Sequence, residues 1–294
     1  MEIDSCKIIN GKACAADLLE NVKSNLSSFT AETGKNVGLA VILVGDDPAS
    51  TIYVNNKAKR AKELGITSII YKYDTTITTD ALIDCINNLN TDPKINGILI
   101  QLPLPKHINT QRVIDTVNYE KDVDGFSSYN VGLLNSWQES LEPCTPQGVL
   151  ILLKKYVEHD LTGKKVVVLG RSRIVGRPMV SMLIREGCSV ISLNSYSKNT
   201  EEMCCDADII ISAVGSPTMI KKHWVAPGAC VIDVGIVRVD GKLFGDVDFH
   251  TVKETAGFIT PVPGGVGPMT VACLMQNTVK AAYIQHGVQW PKSY

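Results

Sequence analysis

A single stretch in the second half of the chain constrains the fold more than any other. Residues 166–169 are four consecutive apolar residues, three of them β-branched, and they predict a strand buried on both faces. The strand ends at Gly170, and Gly176 opens an amphipathic helix that runs to about residue 186. Residues 188–193 form the next predicted strand and close a βαβ unit of about 30 residues, the building block of a parallel sheet.

The glycines of this unit indicate a phosphate site. Only a backbone without Cβ lets a pyrophosphate approach the helix N-terminus, where free N–H groups and the helix dipole favour negative charge. Ser172 takes the middle glycine position of the usual Gly-x-Gly-x-x-Gly pattern, and the spacing becomes Gly-x-Ser-x-x-x-Gly. From this stretch alone, a βα turn that binds no nucleotide is an open alternative to a dinucleotide site.

Composition excludes several classes of function. The 294 residues are enough for two domains, each with its own core. The formal net charge is −1, without a basic block or an acidic tail, so we expect no nucleic acid and no membrane surface as partner. No apolar run reaches membrane-spanning length, and the acidic start of the chain is unlike a signal or transit peptide. We therefore expect a soluble, cytoplasmic protein.

The nine cysteines show no metal-ligand spacing. No pair forms Cys-x-x-Cys, and the adjacent Cys204 and Cys205 lack a second pair that would complete a zinc site. The four histidines between positions 107 and 250 show no such spacing either. An odd number of scattered cysteines predicts reduced thiols in a cytosolic compartment, and we expect no metal site.

Strands and helices alternate along the rest of the chain. Strands are predicted at residues 7–9, 37–44, 66–73, 95–102, 207–214 and 229–234, and further helices at 11–26, 79–89, 147–159 and 269–282. Another helix runs to about residue 64, with Ser50 as its predicted N-cap and Ile52 on its buried face. Residues 118–145 are predicted to be an irregular segment between domains. This alternation indicates parallel α/β sheets, whose ligands lie outside the carboxyl ends of the strands.

Three positions near predicted strand ends could carry chemistry. Tyr53 and Lys57 lie four apart and share one helix face, although a solvated lysine stacked on a tyrosine explains the spacing equally well. Gln101 ends the third strand, where its amide needs partners from either a ligand or the following loop. Asp122 and Asp124 could bind a cation or an amide-rich ring, or form a polar turn.

The end of the second strand in the βαβ unit favours NADP over NAD. In NAD-binding folds an Asp or Glu at this point commonly binds the ribose 2′-hydroxyl. Residues 190–195 contain no carboxylate, whereas Arg171 stands in the phosphate turn. A 2′-phosphate requires positive charge and hydroxyl donors, so the sequence predicts NADP as the cofactor.

Several motifs, taken in order, are similar to the bifunctional 5,10-methylenetetrahydrofolate dehydrogenase/5,10-methenyltetrahydrofolate cyclohydrolase family nearly from end to end. The motifs are Pro48-Ala49-Ser50, Tyr53-Val54-Asn55-Asn56-Lys57, Gln101-Leu102-Pro103-Leu104-Pro105, Lys121-Asp122-Val123-Asp124-Gly125-Phe126, Pro143-Cys144-Thr145-Pro146, Gly170-Arg171-Ser172 with Gly176, Val231-Ile232-Asp233-Val234-Gly235-Ile236, and residues 261–270.

This resemblance implies a role for particular residues. The catalytic group would be Lys57, with Gln101 as its hydrogen-bonding partner, Tyr53 stacked on the folate and Asp124 bound to the pterin. The remaining substrate contacts implied are Ile100, Leu102, Pro263, Gly264, Gly265, Val266 and Gly267. The NADP contacts implied are Gly170, Arg171, Ser172, Ser195 and Ile236. Many relatives carry His, and often Arg, where this chain has Asn194-Ser195. Arg171 would therefore bind the 2′-phosphate with fewer positive side chains beside it.

The resemblance also implies the architecture and the reaction. A catalytic α/β domain of residues 1–146, completed by residues 271–294, would join a Rossmann-like NADP domain of residues 147–270. The enzyme would oxidise methylene- to methenyltetrahydrofolate, hydrolyse the product to 10-formyltetrahydrofolate, serve purine and amino-acid biosynthesis, and form a homodimer. Two alternatives stay open: an NAD-dependent dehydrogenase without the hydrolytic step, and a non-catalytic nucleotide-binding regulator. The presence of Lys57 and Gln101 counts against the first, and the intact substrate half counts against the second.

Overall fold

The computed structural model of the chain describes residues 6–291. Its helices are α1 Gly11–Thr33, α2 Pro48–Leu64, α3 Thr79–Thr91, α4 Thr110–Thr116, α5 Ser128–Asn135, α6 Cys144–Tyr156, α7 Gly176–Arg185, α8 Thr200–Cys204, α9 Phe249–Val252 and α10 Val266–Gln285. Its strands are β1 Lys7–Ile8, β2 Gly38–Val44, β3 Thr67–Tyr73, β4 Gly97–Ile100, β5 Lys165–Leu169, β6 Ser189–Leu193, β7 Ile209–Ser212, β8 Cys230–Asp233, β9 Val237–Val239, β10 Lys242–Phe244 and β11 Phe258–Ile259.

The chain divides into two units. Unit 1 comprises Met1–Ala16 and Thr145–Thr270, and unit 2 comprises Asp17–Cys144 and Val271–Tyr294. The sequence placed residues 1–16 with the catalytic half, but β1 pairs with β11 in the main sheet of unit 1. In the described part of the chain, no helix is both long and apolar enough to cross a membrane.

Unit 2 is built on a parallel sheet of three strands in the order β3-β2-β4. All seven residues of β2 are buried, as its unbroken apolar run requires of a central strand covered on both faces. Ile42 on β2 pairs with Ile100 on β4, and the next N–H, that of Gln101, donates to the Ile42 carbonyl oxygen at 2.9 Å. This pairing sets the point at which the chain leaves β4.

Unit 1 is built on a parallel sheet of six strands in the order β1-β11-β8-β7-β5-β6. Leu169 at the end of β5 pairs with Leu193 at the end of β6 and with Ser212 at the end of β7. Val167, Ile210 and Val231, one from each of three neighbouring strands, lie in the same fully buried core cluster. The predicted α/β fold class with parallel sheets is therefore confirmed.

The structure corrects the predicted start of α2. Helix α2 begins at Pro48, and the Asp47 carboxylate accepts the Ser50 N–H at 2.7 Å, so Asp47 and not Ser50 is the N-cap. Proline fits the first helical turn because its missing N–H would have no partner there. Ser50, Val54 and Ala61 form the buried face of this helix, and Ile52, predicted to be buried, points away from it with 51% of its surface exposed.

Two further boundaries differ from the predictions. Residues 118–145 are not wholly irregular, because Ser127 caps α5 by accepting the Asn130 N–H at 3.2 Å. The last helix begins at Val266 instead of residue 269, and Pro268 is accommodated in its first turn. Val266 and Gly267, predicted as loop residues, therefore belong to α10.

Candidate functional site

Lys57 and Gln101 meet in unit 2. Lys57 is half-buried and follows Ser50 and Val54 at helical spacing on the inner face of α2. Its Nζ donates a hydrogen bond of 3.1 Å to Gln101 Oε1. The Gln101 Nε2 donates to the Leu102 carbonyl oxygen at 2.8 Å, so both ends of the amide are engaged. Gln101 thus presents its oxygen to the lysine and orients the amine without adding charge.

Asp124 lies close enough to Lys57 for the two charges to interact. Burial raises the pKa of the Asp124 carboxyl to about 6, and the neighbouring charge of Asp122 acts in the same direction. The opposite charge of Lys57 and a hydrogen bond with the Cys144 side chain lower the pKa. The carboxyl of Asp124 therefore gains or loses its charge near pH 6.

Asp122, by contrast, is hydrogen-bonded within the fold, at the turn that leads into α5. Its carboxylate accepts the N–H groups of Phe126 at 3.2 Å and Ser127 at 2.8 Å, and the Asn130 Nδ2 at 3.0 Å. The buried Lys121 Nζ likewise donates to the Leu89 and Asp92 carbonyl oxygens, at 3.1 and 2.9 Å. These bonds support the polar-turn alternative for Asp122.

Two buried side chains near Asp124 were given no role by the sequence analysis. The Cys144 thiol donates to the Val123 carbonyl oxygen at 3.3 Å, and burial raises its pKa well above the usual range. Asn277 on α10 donates through Nδ2 to the carbonyl oxygens of Val123 and Glu142, both at 2.8 Å. The sequence offered no clear signal for Asn277, because Gln276 and Thr278 flank it on α10; its burial is what requires partners for the amide.

The other predicted substrate contacts lie at two places. Tyr53 is one turn before Lys57 on α2 and 42% exposed, and Ile100 and Leu102 flank Gln101. Pro263, Gly264 and Gly265 precede α10 in unit 1, after a cis peptide bond between Val262 and Pro263. Val266 and Gly267 follow in the first turn of α10.

The βα turn of unit 1 is as tight as its glycines predict. Gly170 has a φ of +111°, and its N–H donates to the Leu193 carbonyl oxygen at 2.9 Å. A Cβ on Gly176 would stand 2.0 Å from the Gly170 carbonyl oxygen. Ser172 Oγ accepts hydrogen bonds from the N–H groups of Val175 at 3.2 Å and Gly176 at 3.4 Å. A side-chain hydroxyl is thus the acceptor for N–H groups at the start of α7.

Arg171 and Ser195 stand at the carboxyl ends of β5 and β6. The Arg171 guanidinium lies 4.9 Å from the ring centroid of Tyr196, and Arg171, Ser195 and Tyr196 are all exposed. Asn194, which begins the turn after β6, accepts the Tyr196 N–H through Oδ1 at 3.0 Å. The chain leaves β6 without placing a carboxylate at the position where NAD-binding folds carry one.

A buried carboxylate holds the loop after β7. Asp246, which is fully buried, accepts the Ser212 hydroxyl at 3.0 Å and the N–H groups of Val214 and Ser216, each at 2.8 Å. These three donors surround the point where the chain leaves the sheet. The sequence analysis assigned Asp246 no function.

A second buried carboxylate, Asp233, holds the loop after β8. It accepts the N–H groups of Gly235, Asp246 and Val247, each at 2.9 Å, and burial raises its pKa to about 6. Ile236, the predicted cofactor contact, follows Gly235 in this loop and is exposed. An aspartate that ends an apolar strand was the signal for this site, because buried carboxylates require hydrogen-bond donors.

A cavity of about 360 Å³ lies at the opposite ends of these strands. Its lining includes Lys164, Asp208 and Ala229, which directly precede β5, β7 and β8. Ligands of parallel α/β sheets bind at the carboxyl ends of the strands, so this cavity is not the candidate site. Among residues 6–291, no three His, Cys, Asp or Glu side chains are grouped so that they could hold a metal ion.

Comparison with known proteins identifies the family. Residues 9–124 match the catalytic domain of tetrahydrofolate dehydrogenase/cyclohydrolase, and residues 143–286 match the NAD(P)-binding domain. The chain belongs to the tetrahydrofolate dehydrogenase/cyclohydrolase family. The resemblance drawn from the sequence is confirmed. The catalytic match contains Lys57, Gln101 and Asp124, and the NAD(P)-binding match contains the βα turn.

Relatives of this dehydrogenase/cyclohydrolase cover nearly all of the chain. The bifunctional protein FolD of Wolbachia sp. subsp. Drosophila simulans is 51% identical over 283 residues, covering 96% of this chain and 97% of the relative. The crystal structure of FolD from Campylobacter jejuni is 45% identical, with a TM-score of 0.93 over 95% of this chain and 99% of that one. FolD from Trypanosoma brucei, solved with NADP and an inhibitor, is 32% identical, with a TM-score of 0.91 over 96% and 99% of the two chains.

The close approach at Gly176 predicts an effect on stability. In Gly176→Ala the new methyl group meets backbone atoms that cannot move aside, so we expect the free energy of unfolding to fall by roughly 1–3 kcal/mol, as overpacking typically costs. Urea unfolding of the purified variant measures this. Gly132→Ala on α5 is the control, because no heavy atom lies within 4 Å of the point where its Cβ would stand and alanine favours helix. Equal unfolding curves for Gly176→Ala and the parent would contradict the prediction.

Proposed function

We propose that this chain oxidises 5,10-methylenetetrahydrofolate with NADP and hydrolyses the resulting 5,10-methenyltetrahydrofolate to 10-formyltetrahydrofolate. The observation that carries the proposal is the hydrogen bond from Lys57 to Gln101, with Asp124 within electrostatic reach. An assay with methylenetetrahydrofolate and NADP tests it, following NADPH and methenyltetrahydrofolate by absorbance. An NAD-dependent dehydrogenase without the second activity would reduce NAD and accumulate the methenyl compound.

Lys57 is the proposed acid–base group of the hydrolysis. Opening the methenyl ring requires an activated water and a proton delivered to a ring nitrogen, so a group that both accepts and donates protons has to stand at the reacting carbon. An amine does both, and Gln101 holds its direction through a neutral oxygen. Hydride transfer needs alignment of the reactants and no such base, and the nicotinamide of bound NADP supplies that chemistry.

The remaining roles divide between the two units. In unit 2 the Asp124 carboxylate accepts pterin N–H groups, Tyr53 stacks on the folate, and Ile100 and Leu102 form an apolar wall. The substrate contacts proposed in unit 1 are Pro263, Gly264, Gly265, Val266 and Gly267. The NADP contacts proposed, also in unit 1, are Gly170, Arg171, Ser172, Ser195 and Ile236. The two family matches support the assignment of the Lys57, Tyr53 and Asp124 roles to unit 2 and of NADP binding to unit 1.

A homodimer is the proposed assembly. Among residues 6–291, strand β3 pairs with β2 alone, which leaves one edge of the unit 2 sheet open in the described part of the chain. Ile69 and Ile70 on this strand are 41% and 40% exposed, which is typical of a surface that another chain covers. A cytoplasmic enzyme serving purine and amino-acid biosynthesis is the cellular role that we propose, supported by the family match.

Replacement of Lys57 should separate the two activities. We expect Lys57→Met to lose cyclohydrolase activity by at least the roughly 10²–10⁴-fold that general acid–base catalysis contributes, while dehydrogenase activity falls much less. The measurement is the rate of hydrolysis of added methenyltetrahydrofolate beside the rate of NADPH formation. Lys59→Met, an exposed lysine on the same helix, is the control. Hydrolysis near the parent rate in folded Lys57→Met would rule out this lysine as the acid–base group.

The pKa of Asp124 predicts how folate binding depends on pH. The ionised carboxylate is the acceptor, so affinity should be full well above the pKa of about 6, about half at the pKa, and lower by about tenfold at one pH unit below it. Calorimetric titration with tetrahydrofolate between pH 5 and 8 measures this. In Asp124→Asn the dependence should disappear relative to the parent, while NADP binding, measured in parallel, stays the same. A variant that keeps the parent's pH profile would return Asp124 to a structural role.

The open β3 edge predicts the effect of a new charge on assembly. A lysine at position 70 is costly to bury at an interface, so Ile70→Lys should shift a dimeric parent towards monomer in analytical ultracentrifugation. Ile184→Lys, at a similarly exposed isoleucine on α7, should leave the parent's state unchanged. A monomeric parent at assay concentrations would contradict the homodimer.

A further inference from the structure

Tyr196 occupies a turn whose geometry is set by its neighbours. After β6 the Asn194 N–H donates to Ser197 Oγ at 3.0 Å, and the Ser197 N–H returns a bond of 2.9 Å to the Asn194 carbonyl oxygen. The Tyr196 N–H donates to Asn194 Oδ1 at 3.0 Å. The turn therefore holds the Tyr196 backbone, although the residue is 78% exposed. So exposed an aromatic ring makes little contribution to the core.

The ring of Tyr196 instead contacts Arg171. Leu169 and Leu193 are register partners, so the turns after β5 and β6 emerge at the same edge of the sheet. The Arg171 guanidinium lies 4.9 Å from the ring centroid, within the range of a cation–π interaction. Within residues 6–291 no acidic side chain forms an ion pair with Arg171.

The choice of an aromatic partner has a chemical consequence. A guanidinium carries five N–H donors, and an aromatic ring does not pair with them as a carboxylate does, so they stay available to a phosphate. A carboxylate partner would occupy the donors and repel a phosphate. The ribose 2′ substituent is recognised at the end of the second strand in the βαβ unit. In this chain that strand, β6, carries no acidic residue, and Arg171 lies beside its end in the turn after β5.

We propose that Tyr196 is a positioning residue that holds Arg171 for the 2′-phosphate and thereby increases the preference for NADP over NAD. The inference rests on the proposed use of NADP. A long, exposed arginine loses rotamer freedom when it binds a ligand, and a ring that already restricts it reduces that cost. By restricting Arg171, Tyr196 would thus supply part of the affinity for the 2′-phosphate that a second cation would otherwise provide.

The test compares Y196L with the conservative variant Y196F. Loss of the ring should raise the KM for NADP by about two- to five-fold, the strength of an exposed cation–π contact, with no change in kcat or in the KM for NAD. Y196F keeps the ring and should keep the parent's KM for NADP. In an R171A background, Y196L should add no further effect, because the ring acts through the arginine.

Three results would overturn the inference. They are an unchanged ratio of NADP to NAD efficiency in Y196L, an equal loss in Y196F, and full additivity of Y196L with R171A. A parent that prefers NADP while Y196L leaves its preference intact defeats only the role of Tyr196. A parent that uses both cofactors equally defeats the proposed NADP preference itself, so the two failures are distinguishable.

Discussion

Parallel strand pairing is the constraint on which both units depend. In a parallel sheet every strand ends at the same edge, so residues that follow different strands come together although they are far apart in the chain. In unit 2 the pairing of Ile42 with Ile100 places Gln101, and in unit 1 the pairing of Leu169 with Leu193 brings the turns carrying Arg171 and Tyr196 to one edge. The chemistry of each unit is arranged along these edges.

The buried carboxylates in this protein differ in the groups that surround them. Asp246 has three donors from the end of β7 and the loop after it, and Asp122 likewise accepts from three groups around α5. Such bonding compensates for the loss of water, and these carboxylates serve the fold. Asp124 differs from them in its neighbour, because the charge of Lys57 opposes the rise in pKa that burial causes. The ligand-binding role proposed for Asp124 rests on this neighbour.

In both candidate sites an uncharged side chain contacts a basic side chain. Gln101 receives Lys57 through an amide oxygen, and Tyr196 receives Arg171 through a ring face. In both cases the partner orients the cation without neutralising it, as a carboxylate would. The proposed roles, proton exchange for Lys57 and phosphate binding for Arg171, both require that the side chain's donors stay available.

The sequence by itself determined the local elements and the family. The apolar runs predicted β2 and β5, the glycines predicted the turn before α7, and the missing carboxylate after β6 pointed to NADP, because each depends on adjacent residues. Tertiary structure decided the rest: that Asp47 caps α2, that the Asp122 carboxylate accepts the Ser127 N–H, and that Asn277 donates to the Val123 carbonyl oxygen. For the N-cap of α2, the sequence located the capping region but not the residue that caps the helix. The other two depend on hydrogen bonds and burial set by segments distant in the chain, which no local pattern encodes.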